Sequence, residues 1–181
     1  MKLITLFSGV GMQEQGIKRN FPNYELINFC EYDSKIAKCF ELIHQEPSSK
    51  NLGDITKLNI DEYYNKLEND GNTDIDVLIS SFPCQSFSIA GKKKGFDCPK
   101  NGNLFDKSYE MIEFIRPKIV IFENVKNITS KKFNAIEKIT EKMEILGYTC
   151  QHKILNGIDY GIPQNRERWF MVCILHQNQP L

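Results

Sequence analysis

One cysteine of the chain stands where a nucleophile would be useful. Cys84 follows a short apolar run that begins at Val77, and Pro83 directly precedes the cysteine. Proline fixes φ and has no backbone N–H to donate to a neighbouring strand, so we expect a strand that ends here and holds the Cys84 thiol just beyond its end. Because ligands of open α/β sheets bind at the carboxyl ends of strands, this position favours a reactive thiol.

The cysteine lies in a segment without helical or strand periodicity, from residue 81 to about residue 102. Loops of that length inside a compact domain are usually functional lids or disordered linkers. Phenylalanines at positions 82, 87 and 96 argue against plain disorder. The formal net charge of the chain is zero, but this segment holds four lysines and one acid between residues 85 and 100, so its local charge is positive.

Two glycines form a turn after the first predicted strand. The strand-like run ends at Phe7, and Gly9 and Gly11 then open a helix that should continue to about Asn20. Such a turn lets a ligand approach the backbone closely. The next glycine comes only at Gly16, so the spacing departs from G-x-G-x-x-G and does not favour a pyrophosphate ligand. An ordinary turn is the alternative interpretation.

Charged residues mark three further strands. Glu31 ends the second predicted strand, 20 residues after Gly11, where α/β nucleotide sites hold ribose hydroxyls. Glu123 follows the apolar run 119–122, and an acid there is costly without a partner or a role. Arg166 and Arg168 open the last strand on alternate residues and hence on one face. A solvated, salt-bridging surface is the alternative for these arginines.

The whole pattern alternates strands with helices, which is typical of an α/β protein. Apolar runs predict six strands, at about residues 3–7, 26–30, 76–81, 119–122, 148–155 and 169–175. Helical spacing and capping residues predict five helices, at about residues 12–20, 34–44, 60–67, 104–115 and 133–146. We expect His44, at the end of the second helix, to be solvated.

Length and composition indicate one soluble globular domain over residues 1–181. No apolar run approaches the ~18 residues that span a bilayer. The N-terminal residues lack the long apolar core of a signal peptide, so we expect a cytoplasmic protein without membrane association. The six cysteines include no C-x-x-C pair, which suggests neither a zinc site nor a disulfide framework, and we expect no metal.

Taken in order, these features closely resemble the DNA (cytosine-5)-methyltransferases of bacteria, over essentially the whole chain. The matching motifs are Phe7-Ser8-Gly9-Val10-Gly11, Glu31, Gly53-Asp54-Ile55, Phe82-Pro83-Cys84-Gln85, Phe87-Ser88-Ile89-Ala90-Gly91, Glu123-Asn124-Val125 and Gln164-x-Arg166-x-Arg168. The Cys84 and Glu123 blocks are highly specific together.

The resemblance implies a Rossmann-like methyltransferase fold, with a mostly parallel sheet, helices on both faces and an antiparallel last strand. It also implies S-adenosylmethionine as the cofactor. The implied cofactor-binding residues are Phe7, Gly9 and Gly11 beside the donor, Glu31 at the ribose, Asp54 and Ile55 at the adenine, and Pro83 and Leu104.

A mechanism follows from the same resemblance. Cytosine C5 is too weak a nucleophile to take a methyl group from a sulfonium, so Cys84 should first add at C6. Charge then moves toward N3 and O2, where a protonated Glu123 and Arg168 should stabilise the transition state, with Arg166 orienting them. Glu123 then needs a raised pKa, and Cys84 a lowered one.

Double-stranded DNA is the implied substrate, in a restriction-modification setting. The target base must flip out of the duplex to reach Cys84. The segment after the cysteine then becomes a lid that closes over the base, because Gly91 and Gly95 allow it to hinge. The expected DNA contacts are Gln85, Ser88, Lys92, Lys93 and Lys94.

Members of the family continue into a target-recognition domain and final C-terminal motifs, which have no match in residues 1–181. We therefore expect a second polypeptide to supply them. Two alternatives stay open: a non-catalytic remnant that binds S-adenosylmethionine or a partner, and a cytosine-5 methyltransferase that acts on RNA.

Overall fold

The computed structural model of the chain describes residues 1–83 and 102–176. Within these residues six strands alternate with five α-helices. The strands are β1 (Lys2–Leu6), β2 (Glu25–Cys30), β3 (Val77–Ser80), β4 (Ile119–Val125), β5 (Tyr148–Asn156) and β6 (Glu167–Leu175). The helices are α1 (Met12–Asn20), α2 (Ser34–His44), α3 (Ile60–Asn69), α4 (Gly102–Ile115) and α5 (Ala135–Ile145).

All six strands form one sheet in the order β2-β1-β3-β4-β6-β5. Strands β2, β1, β3 and β4 are parallel, and β6 is antiparallel to both of its neighbours, β4 and β5. The predicted mostly parallel sheet with an antiparallel last strand is therefore confirmed. Because β6 is antiparallel to β4, its first residues lie at the same edge of the sheet as the carboxyl ends of β1 to β4.

Helices cover both faces of the sheet. On one face α3, α4 and α5 pack against a continuous core that includes Val120, Phe122 and Trp169, each with no exposed surface. On the other face α2 packs against β1, β2 and β3, and the rings of Phe29 and Phe40 stack at 4.0 Å. Burial on both faces explains why the parallel strands read as continuous apolar runs.

The second face is less covered toward β6. Residues of β6 alternate, so that Trp169, Met171 and Cys173 are fully buried while Val172 is 38% and Ile174 is 55% exposed. The register pairs Val172 with Ile121 and Ile174 with Ile119, which puts these four side chains on the same side of the sheet. We call the apolar surface formed by Ile119, Ile121, Phe170, Val172 and Ile174 the open face.

Two predicted boundaries shift by a few residues. Strand β4 continues to Val125, so Glu123 lies inside the strand rather than after it. Strand β6 begins at Glu167, so Arg168 lies in it and Arg166 lies just before it. The cause is the pairing of β4 with β6, which extends as far as Val125 opposite Arg168 and carries β4 beyond its apolar run.

Candidate active site

The turn after β1 has an unusual backbone. Phe7, Gly9 and Gly11 all have positive φ, at +57°, +58° and +82°. For a residue with a side chain the left-handed region costs about 1–2 kcal/mol, so the conformation of Phe7 must be held by its surroundings. The N–H of Ser8 donates to the carbonyl of Cys30 at 3.0 Å, and the turn is thereby attached to the end of β2.

Glu31 holds this turn from the side of β2. Its Oε2 accepts the N–H of Gly9 at 3.0 Å, and its Oε1 accepts the N–H of Asp33 at 2.9 Å. The N–H of Glu31 in turn donates to Oδ1 of Asn51 at 3.0 Å. An ionised carboxylate accepts about four hydrogen bonds, so Glu31 keeps capacity for the hydroxyl groups of a ligand.

A cleft of about 420 Å³ opens at the carboxyl ends of β1, β2 and β3, and we call it the first cleft. This volume is within the range of small-molecule sites. Its lining includes six of the eight predicted cofactor residues, namely Phe7, Glu31, Asp54, Ile55, Pro83 and Leu104, together with Cys30, Tyr32, Gly53, Thr56 and Ser81. Gly9 and Gly11 do not line it, but the N–H of Gly9 donates to Glu31, which does.

Two titratable groups of the first cleft differ in reactivity. Hydrogen bonds from the hydroxyl and the N–H of Thr56 hold the pKa of Asp54 below its ordinary value, so Asp54 is a carboxylate. Burial raises the pKa of the Cys30 thiol to about 12. Cys30 therefore stays protonated and has no nucleophilic role.

The residues just before Cys84 are anchored from two sides. From α1, Nε2 of Gln13 donates to Oγ of Ser81 at 2.6 Å. From β4, Nδ2 of the buried Asn124 donates to the carbonyl of Phe82 at 3.0 Å. The predicted residues Cys84, Gln85, Ser88, Lys92, Lys93 and Lys94 lie outside the described residues, but their point of attachment to the sheet is fixed.

An ion pair joins β4 to β6 at the same edge. Nε of Arg168 lies 3.1 Å from Oε1 of Glu123, and both side chains are about one-fifth exposed. Burial raises the pKa of Glu123, and the charges of Arg168 and then Arg166 oppose that effect without cancelling it. Glu123 therefore binds a proton more readily than an ordinary glutamate. A carboxyl needs this property if it is to act as a proton donor.

Arg166 has a different position from the one its spacing predicted. It precedes β6 and is exposed, and its backbone N–H donates to Oδ1 of Asn156 at 3.0 Å. Its charge nevertheless acts on Glu123. The two arginines thus affect one carboxyl, Arg168 by contact and Arg166 at longer range.

A second cleft, of about 720 Å³, lies beside this pair at the end of β4 and the start of β6. Nine of its ten lining residues are polar or charged, and the lining consists of Val125, Lys126, Asn127, Thr129, Ser130, Gln164, Asn165, Arg166, Glu167 and Arg168. Cationic and hydroxyl groups of this kind are those that bind phosphates and sugars of nucleic acids.

The sequence analysis did not predict the structural roles of Asn124 and His44. Asn124 belongs to the Glu123-Asn124-Val125 motif, but its hydrogen bond to the carbonyl of Phe82 depends on the position of the neighbouring strand. The expectation that His44 is solvated was wrong, because this residue is 5% exposed and its ring stacks on Phe40 at 4.3 Å. The signal was present, since His44 follows Phe40 by four and Ala37 by seven residues and so shares their buried helical face.

Two kinds of feature are absent from the part of the chain that the structure describes. No cluster of three or more histidine, cysteine, aspartate or glutamate side chains is arranged to hold a metal ion there. No described helix has the length and apolarity to cross a membrane.

The fold and the two clefts at one sheet edge define a Rossmann-like α/β protein with the architecture of methyltransferases. Solved structures agree on this fold. The Dnmt2 methyltransferase of S. pombe superimposes with a TM-score of 0.76 at 18% identity, over all of this chain and 53% of that one. A putative DNA modification methyltransferase from an E. coli prophage gives 0.74 at 23% identity, over 97% of this chain and 47% of that one.

Sequence comparison identifies the family. The model for C-5 cytosine-specific DNA methylases matches residues 1–181, and the chain belongs to that family. It is 36% identical over 174 residues to the type II methyltransferase M.HhaI of Haemophilus parahaemolyticus, covering 96% of this chain and 49% of that protein. It is 35% identical over 175 residues to the orphan methyltransferase M.SPRI of Bacillus phage SPR, covering 96% and 38%. The chain thus spans about half or less of these relatives.

The family is one of enzymes, and its methyl donor is S-adenosylmethionine. The residues of the first cleft suit that molecule. The carboxyl oxygens of Glu31 and Asp54 can accept hydrogen bonds from hydroxyl and amino groups, and Phe7, Ile55 and Leu104 supply apolar walls.

Proposed function

We propose that this chain is the catalytic portion of a DNA cytosine-5 methyltransferase that methylates a flipped-out cytosine through a covalent bond to Cys84. The observation that carries the proposal is the pair formed by Glu123 and Arg168, since it presents a carboxyl with a raised pKa beside a guanidinium at the sheet edge where Pro83 leads into Cys84.

In this proposal S-adenosylmethionine occupies the first cleft and supplies the methyl group. The Cys84 thiolate adds to C6 of cytosine, and the ring electrons then make C5 nucleophilic. After C5 has accepted the methyl group, loss of the C5 proton and departure of the thiolate restore the aromatic ring. Glu123 donates a hydrogen bond at N3 during the addition, and Arg168 stabilises negative charge at O2.

Burial of Glu123 is what makes this role feasible. A carboxyl with an ordinary pKa would be ionised at neutral pH and would repel the electron density that builds up at N3. Desolvation favours the protonated form. The adjacent guanidinium keeps the carboxyl oriented and limits the rise of its pKa.

The DNA is expected to approach from the second cleft. Its cationic lining includes Lys126 and Arg166 and adjoins the proposed reaction centre. Extrusion of the base costs a few kcal/mol of unstacking, so contacts with the backbone must offset this. In the proposal Gln85, Ser88 and the three lysines at 92–94 supply part of those contacts from the lid.

A second polypeptide completes the enzyme in this proposal, and it covers the open face. Val172 and Ile174 leave apolar surface exposed on the same side of the sheet as the Glu123–Arg168 pair. A segment with an apolar face that packs there would also shield the ion pair from water. We expect the same polypeptide to carry the target-recognition domain.

Trapping of the covalent bond tests the chemistry. DNA that contains 5-fluorocytosine cannot lose a proton from C5, so the enzyme should remain attached to it in the presence of S-adenosylmethionine. We expect a protein–DNA adduct that survives denaturing electrophoresis and that disappears in Cys84→Ala. Cys39→Ala, which changes an exposed free cysteine, is the matched control and should still form it.

The same assay tests the need for a second chain when it is run with and without the polypeptide encoded next to this one. An adduct only in the mixture supports the split enzyme. Adduct formation in Cys84→Ala would remove Cys84 from its role. Binding of S-adenosylmethionine without any adduct in either condition would favour the non-catalytic remnant, and an adduct on RNA alone would change the substrate.

A further inference from the structure

We propose that His44 is a positioning residue that holds the glycine turn of the first cleft in the shape that binds the cofactor. His44 ends α2, and its buried ring lies against the turn between β1 and α1. The inference rests on the proposed cofactor role of the first cleft. It assigns a task to a residue that takes no part in the chemistry described above.

The ring of His44 occupies the space that a side chain at Gly11 would need. A Cβ placed on Gly11 would lie 2.0 Å from Nε2 of His44. At Gly9, by contrast, such a Cβ would have no heavy atom within 4 Å. Both glycines have positive φ, but only Gly11 is also required by close packing. The shape of the turn and the position of the imidazole therefore depend on each other.

A hydrogen bond connects the ring to the centre of the turn. Nε2 of His44 lies 3.2 Å from the carbonyl of Val10. A carbonyl only accepts, so Nε2 must carry a proton in this contact. Nδ1 is buried and has no hydrogen-bond partner among the described residues. A second proton there would place an unpaired charge in the interior, and burial accordingly lowers the pKa of His44.

The same ring belongs to a column of three stacked rings. Phe29 stacks on Phe40 at 4.0 Å, and Phe40 stacks on His44 at 4.3 Å. Phe29 lies in β2, two residues before Glu31, whose Oε2 accepts the N–H of Gly9. The turn is therefore held at two points, by Glu31 at Gly9 and by His44 at Val10, and the ring column connects the helix that carries His44 to the strand that leads into Glu31.

Three variants separate these contributions. His44→Phe keeps an aromatic ring on Phe40 but removes the donor to Val10. His44→Gln keeps an N–H donor at a similar distance from the backbone. Leu42→Gln is the control on the same helix, because Leu42 is 69% exposed. Amide hydrogen exchange of residues 8–12 is measured without ligand, and the affinity for S-adenosylmethionine is measured by calorimetry on the same chain of residues 1–181.

Loss of one hydrogen bond is expected to change both readouts by about fivefold. His44→Phe should speed exchange of the turn amides and weaken S-adenosylmethionine binding, while His44→Gln recovers most of both and Leu42→Gln matches the wild type. Exchange in α5 should stay unchanged, which distinguishes a local effect from general loss of the fold.

The two proposals fail in different ways. Unchanged turn exchange in His44→Phe would overturn the role of His44, whatever the ligand result. Faster exchange with unaltered S-adenosylmethionine affinity would overturn it as well, because the turn shape would then not matter for binding. Faster turn exchange in His44→Phe, together with a wild-type chain that binds no S-adenosylmethionine, would reject the cofactor function of the first cleft and with it the binding role of the turn.

Discussion

The two halves of the functional edge are built differently. Around the first cleft, Glu31, Asn51 and His44 form a network of partly buried hydrogen bonds to backbone groups. Around the second cleft, one partly exposed ion pair between Glu123 and Arg168 lies above the open face. The half around the first cleft is thus preorganised by the chain itself, whereas the environment of Glu123 depends on what covers the sheet beside it.

If this division is correct, Glu123→Gln should separate chemistry from cofactor binding. A positioned proton donor contributes about 10²–10⁴-fold to a rate, so we expect methyl transfer from labelled S-adenosylmethionine to DNA to fall at least about 100-fold. Affinity for S-adenosylmethionine should stay within about twofold. Glu137→Gln, on the exposed side of α5, is the control. A comparable loss of cofactor affinity in Glu123→Gln would show that the two halves are not independent.

Glu31→Gln, unlike Glu123→Gln, should weaken the binding of S-adenosylmethionine. The amide replaces one acceptor oxygen with a donor, which opposes the N–H of Gly9 or of Asp33. Hydrogen bonds to a charged group are worth about 1.5–3 kcal/mol, so S-adenosylmethionine should bind about 10- to 100-fold more weakly in calorimetry. Glu25→Gln, at the exposed start of the same strand, should bind normally. Normal binding by Glu31→Gln would contradict the preorganised first half.

The stability of the half around the first cleft should also depend on pH, through His44. Burial lowers the pKa of His44, with Lys18 acting in the same direction and the Val10 carbonyl and Glu46 against it. The unfolded chain then takes up a proton near pH ~6.5 while the folded chain stays neutral, so stability is lost as the pH falls through that value.

Urea unfolding at several pH values measures this effect. Between about pH 7 and pH 5, the wild type should lose more unfolding free energy than His44→Phe, by no more than about 1.4 kcal/mol per pH unit. The buried carboxyl of Glu14 has a raised pKa and contributes the opposite slope, but it is present in both proteins and cancels in the difference. Parallel stability curves for the two proteins would rule out this contribution from His44.

The smallest effect is expected on the open face. Val172→Ala should change the unfolding free energy of the isolated chain by no more than about 0.5 kcal/mol, because Val172 is 38% exposed. The matched Val120→Ala, at a fully buried position of β4, should cost about 2 kcal/mol. Thermal or urea unfolding measures both, and similar losses would mean that the open face is already packed. With the second polypeptide bound, the cost of Val172→Ala should rise.

Most of the fold could be predicted because its signals are local. Apolar runs located all six strands within a few residues, and the helical spacing of Ile139 and Met143 identified α5 and its buried side. The antiparallel last strand came from the family resemblance and not from the pattern itself. The predicted strand ends were wrong where strand pairing decides them, as at Val125 and Arg166. Hydrogen bonds between strands extend or end a strand independently of its own apolar pattern.

The sequence alone determined which residues stand at strand ends, from Glu31 to the Pro83–Cys84 step, because that order is a property of the chain. Only the tertiary structure decided which of them meet. It brought Arg168 to Glu123, Gln13 to Ser81 and Asn124 to Phe82, and it placed Cys150 opposite Cys173 across β5 and β6. These contacts join residues that are 23 or more positions apart, and they depend on strand register and layer packing, which no local pattern encodes.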